Sequence, residues 1–302
     1  MSQTISHQTT QFNDVALTNA LVEKIENRLK KAERLLLPLE RTLELLHQLK
    51  EFELGRFLLH NRGLNGYWTS YIFQHGFGKQ PESDLERWLL TKSLLVQARG
   101  RFLRFKQELS QHVREGVHLA SIPSGLMDDL LQLDYSGLRD FRLTGVDVDG
   151  QSLEFARQNA QRRQLEAHCQ FLQRDARQLG IQNEFDAISS NGLNMYEPNP
   201  ERLIELYRNF HTALKPGGYL LMSFLLPPPA GDFTSKGWEA YETAPEDLLL
   251  ERSLFGDIIQ VNYLNFSSEQ DTRAQLEKAG FTVERINYSS KQVLPIVIAR
   301  KG

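Results

Sequence analysis

The chain has 302 residues, of which 40% are hydrophobic and 24% charged, and 35 Lys and Arg against 38 Asp and Glu give a net charge of -3. This length fits one large domain, or one domain of about 190 residues with an appendage, and the apolar content excludes a wholly disordered chain. The near balance of charge argues against a basic nucleic-acid-binding surface. The single cysteine, Cys169, excludes an internal disulfide and favours a cytoplasmic location.

The first third of the chain has a helical pattern. Apolar residues recur at steps of three and four over residues 14–54, which predicts an amphipathic helix that Pro38 kinks or splits. A glycine-rich segment with several aromatic residues, 61–78, predicts a break in helical structure. A second helix is predicted over 81–113, with Pro81 in its first turn.

From residue 116 onward, short apolar runs alternate with amphipathic stretches, which is typical of an α/β fold with a mostly parallel sheet. Strands are predicted at 117–120, 142–146, 169–172, 185–189, 218–225, 281–288 and 293–299. Helices are predicted at 127–133, 151–164, 200–214 and 269–279. The connection between the last two strands is too short for a parallel crossover, so we expect them to be antiparallel neighbours.

In open α/β sheets, ligands bind beyond the carboxyl ends of the strands, where the strand order reverses. The first strand runs into the segment SIPSG at 121–125, which contains only one glycine and therefore lacks a dinucleotide fingerprint. An ordinary tight turn and a ligand-binding loop both remain open for this segment. The second strand ends at Asp147, whose carboxylate is placed to accept the two hydroxyls of a ribose, whereas Asp149 could cap the next helix.

The ordered set of motifs resembles the class I S-adenosylmethionine-dependent methyltransferases. The resemblance covers residues 110–302 and depends on LTGVD at 143–147, RDA at 174–176, FDAI at 185–188 and LKPGGYL at 214–220. It implies a Rossmann-like, seven-stranded, mostly parallel sheet with an antiparallel last strand. It also implies S-adenosylmethionine as the cofactor.

The resemblance further implies a set of cofactor-binding residues. Asp147 would bind the ribose hydroxyls, and Val148 would pack on the adenine. Asp175 would accept the adenine amine beside Ala176. The methionine portion would lie against the remaining residues of the set: Ser121, Pro123, Ser124, Gly125, Asn191 and Gly192. The first loop departs from the family pattern, because Leu119 replaces the usual acidic residue and Ser121 and Pro123 replace the first two glycines.

The N-terminal helical region, residues 1–110, is predicted to form a lid that shapes the substrate pocket of a methyltransferase domain at 111–302. Tyr67, Trp68 and Tyr71 could border this pocket together with Tyr196, because aromatic rings pack well on organic ligands. The alternative is that these aromatic residues only fasten the helices together. The exposed parts of the long helix could also pair two copies into a homodimer.

A general base for methyl transfer is not determined by any spacing, and the weak candidates are His75, Tyr196 and Glu197. The histidines lack metal-ligand spacing, so we expect no metal site. The Asn-Pro-Pro-Tyr-like loop of base and amide methyltransferases is absent at 191–196. With the charge balance and the absence of a long apolar run, this favours a small-molecule acceptor over nucleic acid or membrane.

The sequence therefore predicts methyl transfer from S-adenosylmethionine to a small organic acceptor, with O-methylation slightly favoured over N-methylation. One alternative is a non-catalytic S-adenosylmethionine-binding or regulatory protein, which the divergent first loop motivates. The other alternative is an NAD-dependent dehydrogenase, which shares the fold layout but would lack its glycine fingerprint.

Overall fold

A computed structural model of the chain describes residues 14–74, 78–91, 93–227, 245–261, 265–288 and 294–302. The described residues divide into two compact units. The first, here the helical unit, contains the described residues from 14 to 96 together with 245–261. The second, here the sheet unit, contains residues 97–227 and the described residues from 265 onward. In the described parts of the chain, no helix combines the length and the apolar character that crossing a bilayer requires.

The elements of both units are as follows. The helices are α1 Val15–Lys30, α2 Leu39–Glu51, α3 Glu53–Asn61, α4 Gly66–Phe73, α5 Asp84–Thr91, α6 Ser93–Ser110, α7 Asp128–Leu131, α8 Gly150–Arg162, α9 Pro200–Ala213, α10 Pro245–Arg252 and α11 Glu269–Lys278. The strands are β1 Val117–Ser121, β2 Phe141–Asp147, β3 Cys169–Gln173, β4 Phe185–Ser190, β5 Leu214–Ser223, β6 Phe281–Asn287 and β7 Ile296–Lys301.

The seven strands form one sheet in the order β3-β2-β1-β4-β5-β7-β6. The first five strands are mutually parallel, and β7 runs antiparallel to both of its neighbours. The predicted fold class is therefore confirmed, including the antiparallel pairing of the last two strands. The strand order reverses between β1 and β4, so the carboxyl ends of these two strands mark the expected ligand site.

Two apolar layers cover the sheet, because residues along each strand alternate between its faces. On one face, Ala120 and Ile122 pack with residues of α9 and α11, and on the other, Val117 and Leu119 pack with residues of α6, α7 and α8. The part of α6 from residue 97 onward thus belongs to the sheet unit and contributes the fully buried Phe105 and Leu109.

A polar cluster holds the amino-terminal end of the sheet. The Asp186 carboxylate accepts hydrogen bonds from Lys215 Nζ at 2.6 Å, Arg114 Nη2 at 2.8 Å and the backbone N–H of His118 at 2.8 Å. Burial raises the pKa of Asp186, but these donors outweigh it and hold the pKa below its ordinary value. At Gly218, an added Cβ would lie 2.9 Å from the carbonyl oxygen of Lys215, so only glycine fits there.

The helical unit corrects two predictions for the N-terminal third. Residues 66–73 form α4 instead of a break, because the Asn65 side chain caps the backbone N–H of Trp68 at 3.0 Å and Trp68, Tyr71 and Ile72 form a buried stripe. Pro81 does not begin a helix: α5 starts at Asp84, with the Ser83 hydroxyl accepting from the N–H of Glu86. Pro38 separates α1 from α2, as its position predicted.

The His118 side chain generates a prediction about stability and pH. It is 1% exposed, and Nε2 lies 2.8 Å from the Thr144 hydroxyl. Burial lowers the pKa of His118 to about 4, whereas an unfolded histidine titrates near 6.5. Between these values the unfolded chain binds the extra proton, so His118 makes the fold less stable as pH falls from 6.5 to 4.

We expect His118→Gln, which keeps a hydrogen-bonding group near Thr144, to lose less stability on acidification than the wild type. The difference in unfolding free energy between the two proteins should change by about 2–3 kcal/mol from pH 7 to pH 4.5. Urea unfolding at both pH values measures this change. A difference that stays constant with pH would show that His118 is protonated equally in both states.

Candidate functional site

The loop after β1 is held by backbone hydrogen bonds to both neighbouring strands. Ile122 N–H donates to the carbonyl of Ser189 at the end of β4, at 2.8 Å, and Ser124 N–H donates to the carbonyl of Val146 in β2, at 2.9 Å. A cis peptide bond precedes Pro123, and Gly125 adopts a left-handed conformation with φ 49°. The loop therefore turns tightly over the carboxyl ends of three strands without the usual series of glycines.

Asp147, at the end of β2, is fixed by two backbone amides. Its Oδ2 accepts from Gly125 N–H at 2.9 Å and its Oδ1 accepts from Asp149 N–H at 3.0 Å. Burial raises the pKa of this carboxyl above its ordinary value, while the two amide hydrogen bonds favour the charged form. The bond to Gly125 joins the loop after β1 to the end of β2, and Val148 follows directly as a half-buried residue.

Asp149 caps α8, as one of the sequence alternatives proposed: its side chain accepts from the N–H of Gln151 at 3.1 Å. At the end of β3, Asp175 has a second role that the sequence did not indicate. It caps the short 3₁₀ helix Ala176–Gln178 and pairs with the Arg177 guanidinium at 3.3 Å. Ala176 beside it is buried in the core of the sheet unit.

The loop after β4 contains Asn191 and Gly192. Gly192 has φ 102°, a conformation that residues with a side chain rarely adopt. The Oδ1 atom of Asn191 is buried and no described residue hydrogen-bonds it. These residues lie beside the loop after β1, because β4 is the strand paired with β1 at the reversal of strand order.

Asp129, in α7, is a buried acid of this region that the sequence analysis missed. It is 5% exposed, and the Ser121 hydroxyl lies 2.9 and 3.0 Å from its two carboxylate oxygens. Burial raises the pKa of Asp129 to about 6. The chain thus places a carboxylate against the end of β1, although Leu119 occupies the position where the family usually has an acid. The pair of acids at 128–129, directly after the loop, was the signal that could have indicated it.

Arg101, in α6, is the second missed residue. It is 7% exposed, and its Nη1 donates to the Ser223 hydroxyl at the end of β5, at 3.2 Å. A Cβ added at Gly192 would lie 3.5 Å from the same Nη1 atom. A guanidinium therefore lies between the loop after β4 and the carboxyl end of β5.

Comparisons with known proteins identify relatives of this chain. A family model described as a methyltransferase domain matches residues 127–218, which include Asp147, Asp175 and Gly192. The ubiquinone/menaquinone biosynthesis C-methyltransferase UbiE of Brucella abortus is 28% identical over 189 residues. That alignment covers 60% of this chain and 66% of the Brucella protein. These matches support a class I S-adenosylmethionine-dependent methyltransferase.

Solved structures extend the likeness over most of the chain. A crystal structure of a possible exported protein from Bordetella parapertussis is 38% identical, has a TM-score of 0.86, and covers 95% of this chain and 96% of its own. Magnesium protoporphyrin IX methyltransferase from Synechocystis, crystallised with bound S-adenosylhomocysteine, covers 78% of this chain and 94% of its own. With a TM-score of 0.53 and 15% identity, it shows the shared fold alone.

The residues at the carboxyl ends of the strands fit the methyltransferase cofactor, S-adenosylmethionine. Asp147 is held rigidly and keeps lone pairs for further donors. Two buried atoms, Asn191 Oδ1 and Arg101 Nε, make no hydrogen bond to a described residue. Because a buried polar atom without a partner costs free energy, such atoms mark places where a ligand can supply the missing hydrogen bond.

The candidate bases are less well supported by their surroundings. Glu197 is 6% exposed, accepts from Asn199 N–H at 3.0 Å, and lies 3.6 Å from an Arg177 nitrogen and 3.9 Å from one of Arg202. These contacts give it a structural role. Burial raises the pKa of Tyr196, so its phenol stays neutral at physiological pH. His75 lies outside the described residues.

The predicted pocket aromatics lie in the core of the helical unit. Trp68 is 3% exposed and packs edge-to-face on Tyr67 and Tyr71, and the Tyr71 hydroxyl donates to Glu86 at 2.7 Å. This is the packing role that the sequence left open, and a role toward a substrate stays a prediction. Within the described ranges, the structure contains no group of three His, Cys, Asp or Glu side chains placed to hold a metal ion.

The Asp129 carboxyl generates a prediction opposite in sign to that for His118. Because its pKa is about 6 in the fold and near 3.9 in an unfolded chain, the fold binds the extra proton between these values. Stability from this group is therefore lost as pH rises from 4 to 6. We expect Asp129→Asn to gain about 2–3 kcal/mol in unfolding free energy relative to the wild type between pH 4 and pH 7.

Urea unfolding of the cofactor-free proteins measures this gain. A pH-independent difference between Asp129→Asn and the wild type would contradict the assignment of a raised pKa.

Proposed function

We propose that the protein transfers a methyl group from S-adenosylmethionine to a small organic acceptor at the carboxyl ends of β1, β2 and β4. One observation carries the proposal: within a segment that matches a methyltransferase model, the Asp147 carboxylate is fixed by the N–H of Gly125. That bond places the acid of the second strand and the loop of the first strand together, at the reversal of strand order where such sheets bind ligands.

In this proposal each predicted residue has a defined task. Asp147 accepts the ribose hydroxyls, and Val148 and Ala176 flank the adenine. Asp175 accepts the adenine amine while Arg177 holds its carboxylate in place. The methionine portion lies against the loops after β1 and β4, which are formed by Ser121, Pro123, Ser124, Gly125, Asn191 and Gly192.

When bound, the cofactor supplies an electrophilic methyl group on a sulfonium. The task of the chain is to hold the acceptor in line with that group and to exclude water. Buried loops at the ends of β4 and β5 suit this task, since Ser223 is fully buried and Asn194 is 4% exposed. In this proposal the carboxylates of Asp147 and Asp129, on one side of the site, offset the positive charge of the bound cofactor.

The atom that accepts the methyl group is a further part of the proposal. We favour oxygen, with nitrogen next, whereas the Brucella relatives are named as C-methyltransferases. Incubation with S-adenosylmethionine carrying a labelled methyl group, and with phenols, carboxylic acids, amines and quinols, decides among these classes by mass spectrometry of the product.

A non-catalytic cofactor-binding protein is a second candidate, because Ser121 and Pro123 replace two glycines of the family loop. Tight binding of S-adenosylhomocysteine without transfer to any acceptor of the panel would favour this candidate. The NAD-dependent alternative receives no support from the family match.

We also propose a cytoplasmic location, on the basis of the lone cysteine, and a homodimer. Val15, Leu17 and Leu39 support the dimer, since these apolar side chains are 73%, 46% and 39% exposed in the helical unit. The Bordetella relative is described as a possible exported protein, so fractionation of cells is the test of location. Light scattering tests the dimer.

Asp147→Asn is the direct test of the proposed cofactor site. The substitution keeps the size of the side chain but removes its charge and one of the two acceptors for Gly125 and Asp149. Loss of charged hydrogen bonds predicts about 10- to 100-fold weaker binding of S-adenosylhomocysteine by calorimetry. Methyl transfer should fall in parallel at low cofactor concentration.

Asp140→Asn is the matched control, because Asp140 is exposed and lies before the amino-terminal end of the same strand. It should bind the cofactor product as the wild type does. Equal affinity of Asp147→Asn and the wild type would reject the site.

A further inference from the structure

The guanidinium of Arg101 is a buried positive charge with no counter-ion among the described residues. We propose that Arg101 binds the carboxylate of a ligand in the methyl-transfer site, either that of the cofactor's amino-acid portion or that of an anionic acceptor. This inference rests on the proposed function, because it assigns a ligand group to the same site.

The position of Arg101 connects it to that site. It extends from α6 to the carboxyl ends of the strands, where Nη1 donates to the Ser223 hydroxyl at 3.2 Å. Met195 Sδ lies 3.7 Å from the same nitrogen, and a Cβ at Gly192 would lie 3.5 Å from Nη1 and 3.8 Å from Nη2. The guanidinium thus touches the last residue of β5 and the loop after β4, which also contains the unpartnered Asn191 Oδ1.

No acidic side chain among the described residues offsets the positive charge of Arg101. Among the described residues its Nε has no hydrogen-bond partner. The groups that interact with it electrostatically are the neutral phenol of Tyr196 and a second arginine, Arg104, one turn further along α6. Arg104 repeats the pattern, since its Nε and Nη2 atoms are buried without a partner. Burial lowers the pKa of Arg101 to about 10, so the side chain remains charged at neutral pH. A buried charge without a counter-ion is costly, and an anionic ligand would remove that cost.

Two other arginines of the sheet unit, in contrast, have carboxylate partners. Arg177 pairs with Asp175, and Arg114 pairs with Asp186 at 2.8 Å. The fold therefore supplies carboxylates to arginines that have a structural role, but the described residues supply none to Arg101.

The shape of the open edge indicates the kind of anion. Because Nη1 donates to Ser223 and the buried Nε has no hydrogen-bond partner among the described residues, we assign the anion to the edge formed by Nε and Nη2. That edge presents two parallel N–H groups, which match the two oxygens of a carboxylate.

Arg101→Met and Arg101→Lys test the inference. The methionine variant removes the charge and keeps most of the volume, and it should fold at least as stably as the wild type, because an uncompensated buried charge is lost. The lysine variant keeps the charge but loses the bidentate edge. Arg114→Met, at the other end of the sheet, is the control for a general loss of positive charge.

Calorimetry with S-adenosylhomocysteine and with 5′-methylthioadenosine, which lacks the amino-acid portion, separates the two sources of the carboxylate. If the cofactor supplies it, Arg101→Met binds S-adenosylhomocysteine about 10- to 100-fold more weakly and 5′-methylthioadenosine unchanged. The affinity of Arg101→Lys for S-adenosylhomocysteine should lie between those of Arg101→Met and the wild type. The affinity of Arg114→Met should equal that of the wild type.

If the acceptor supplies the carboxylate, S-adenosylhomocysteine binds Arg101→Met normally. The protein saturated with S-adenosylhomocysteine then binds members of a panel of aromatic and aliphatic carboxylates more tightly than their amides, and Arg101→Met abolishes that preference. Unchanged affinities in both arms, with a wild type that binds both nucleosides, would overturn the role of Arg101 alone. A wild type that binds neither nucleoside would overturn the proposed function and this inference with it.

Discussion

The hydrogen bond from the Gly125 amide to the Asp147 carboxylate is the constraint on which the site depends. Parallel strands bring their carboxyl ends to one edge, but the side chains there lie in separate loops. This bond joins the loop after β1 to the acid that ends β2, and the Ile122 amide joins the same loop to the end of β4. Hydrogen bonds to the strands on both sides hold this loop in its conformation, although the chain lacks glycine at two positions where the methyltransferase family usually has it.

The two ends of the sheet have different tasks. At the amino-terminal end, Asp186 gathers a lysine, an arginine and a backbone amide from different segments, and Gly218 lets β5 approach β4 closely. Each oxygen of the Asp186 carboxylate therefore accepts at least one hydrogen bond. At the carboxyl-terminal end, Asn191 and Arg101 keep polar atoms that no described residue satisfies. The contacts at the amino-terminal end stabilise the sheet. This stability offsets the cost of the buried polar groups at the carboxyl-terminal end, for which a ligand could supply the missing hydrogen bonds.

The sequence was sufficient for the sheet and for its loops. All seven strands were predicted because each is a short apolar run between polar segments, and the short final connection required the antiparallel pair. The sequence pattern did not predict α4, because Gly66 and the aromatic residues have a low helix propensity. The Asn65 cap and tertiary packing stabilise this helix. The ordered strand ends pointed to Asp147 because an acid directly follows an apolar run.

Arg101 and Asp129 could not be found in this way. In a helix such as α6, where basic residues alternate with apolar ones, an arginine normally belongs to the solvated face. Only the neighbours in space reveal that Arg101 points toward Ser223, because its contacts lie about 90 to 120 positions away along the chain. Asp129 likewise lies in the first turn of α7, and it is buried against Ser121, a contact that periodicity does not encode.

The charges of the site have a consistent distribution. Carboxylates lie against β1 and β2, as Asp129 and Asp147, whereas the unpaired guanidinium of Arg101 lies against β4 and β5. A cofactor with a sulfonium, an ammonium and a carboxylate carries both signs of charge, and a site with both signs can match each group separately. Since buried charges interact strongly in a medium of low dielectric constant, this separation orients a ligand as well as binding it. Under the two proposals, the divergent first loop is compatible with binding, because α6 and α7 supply part of the charge recognition in place of the loop.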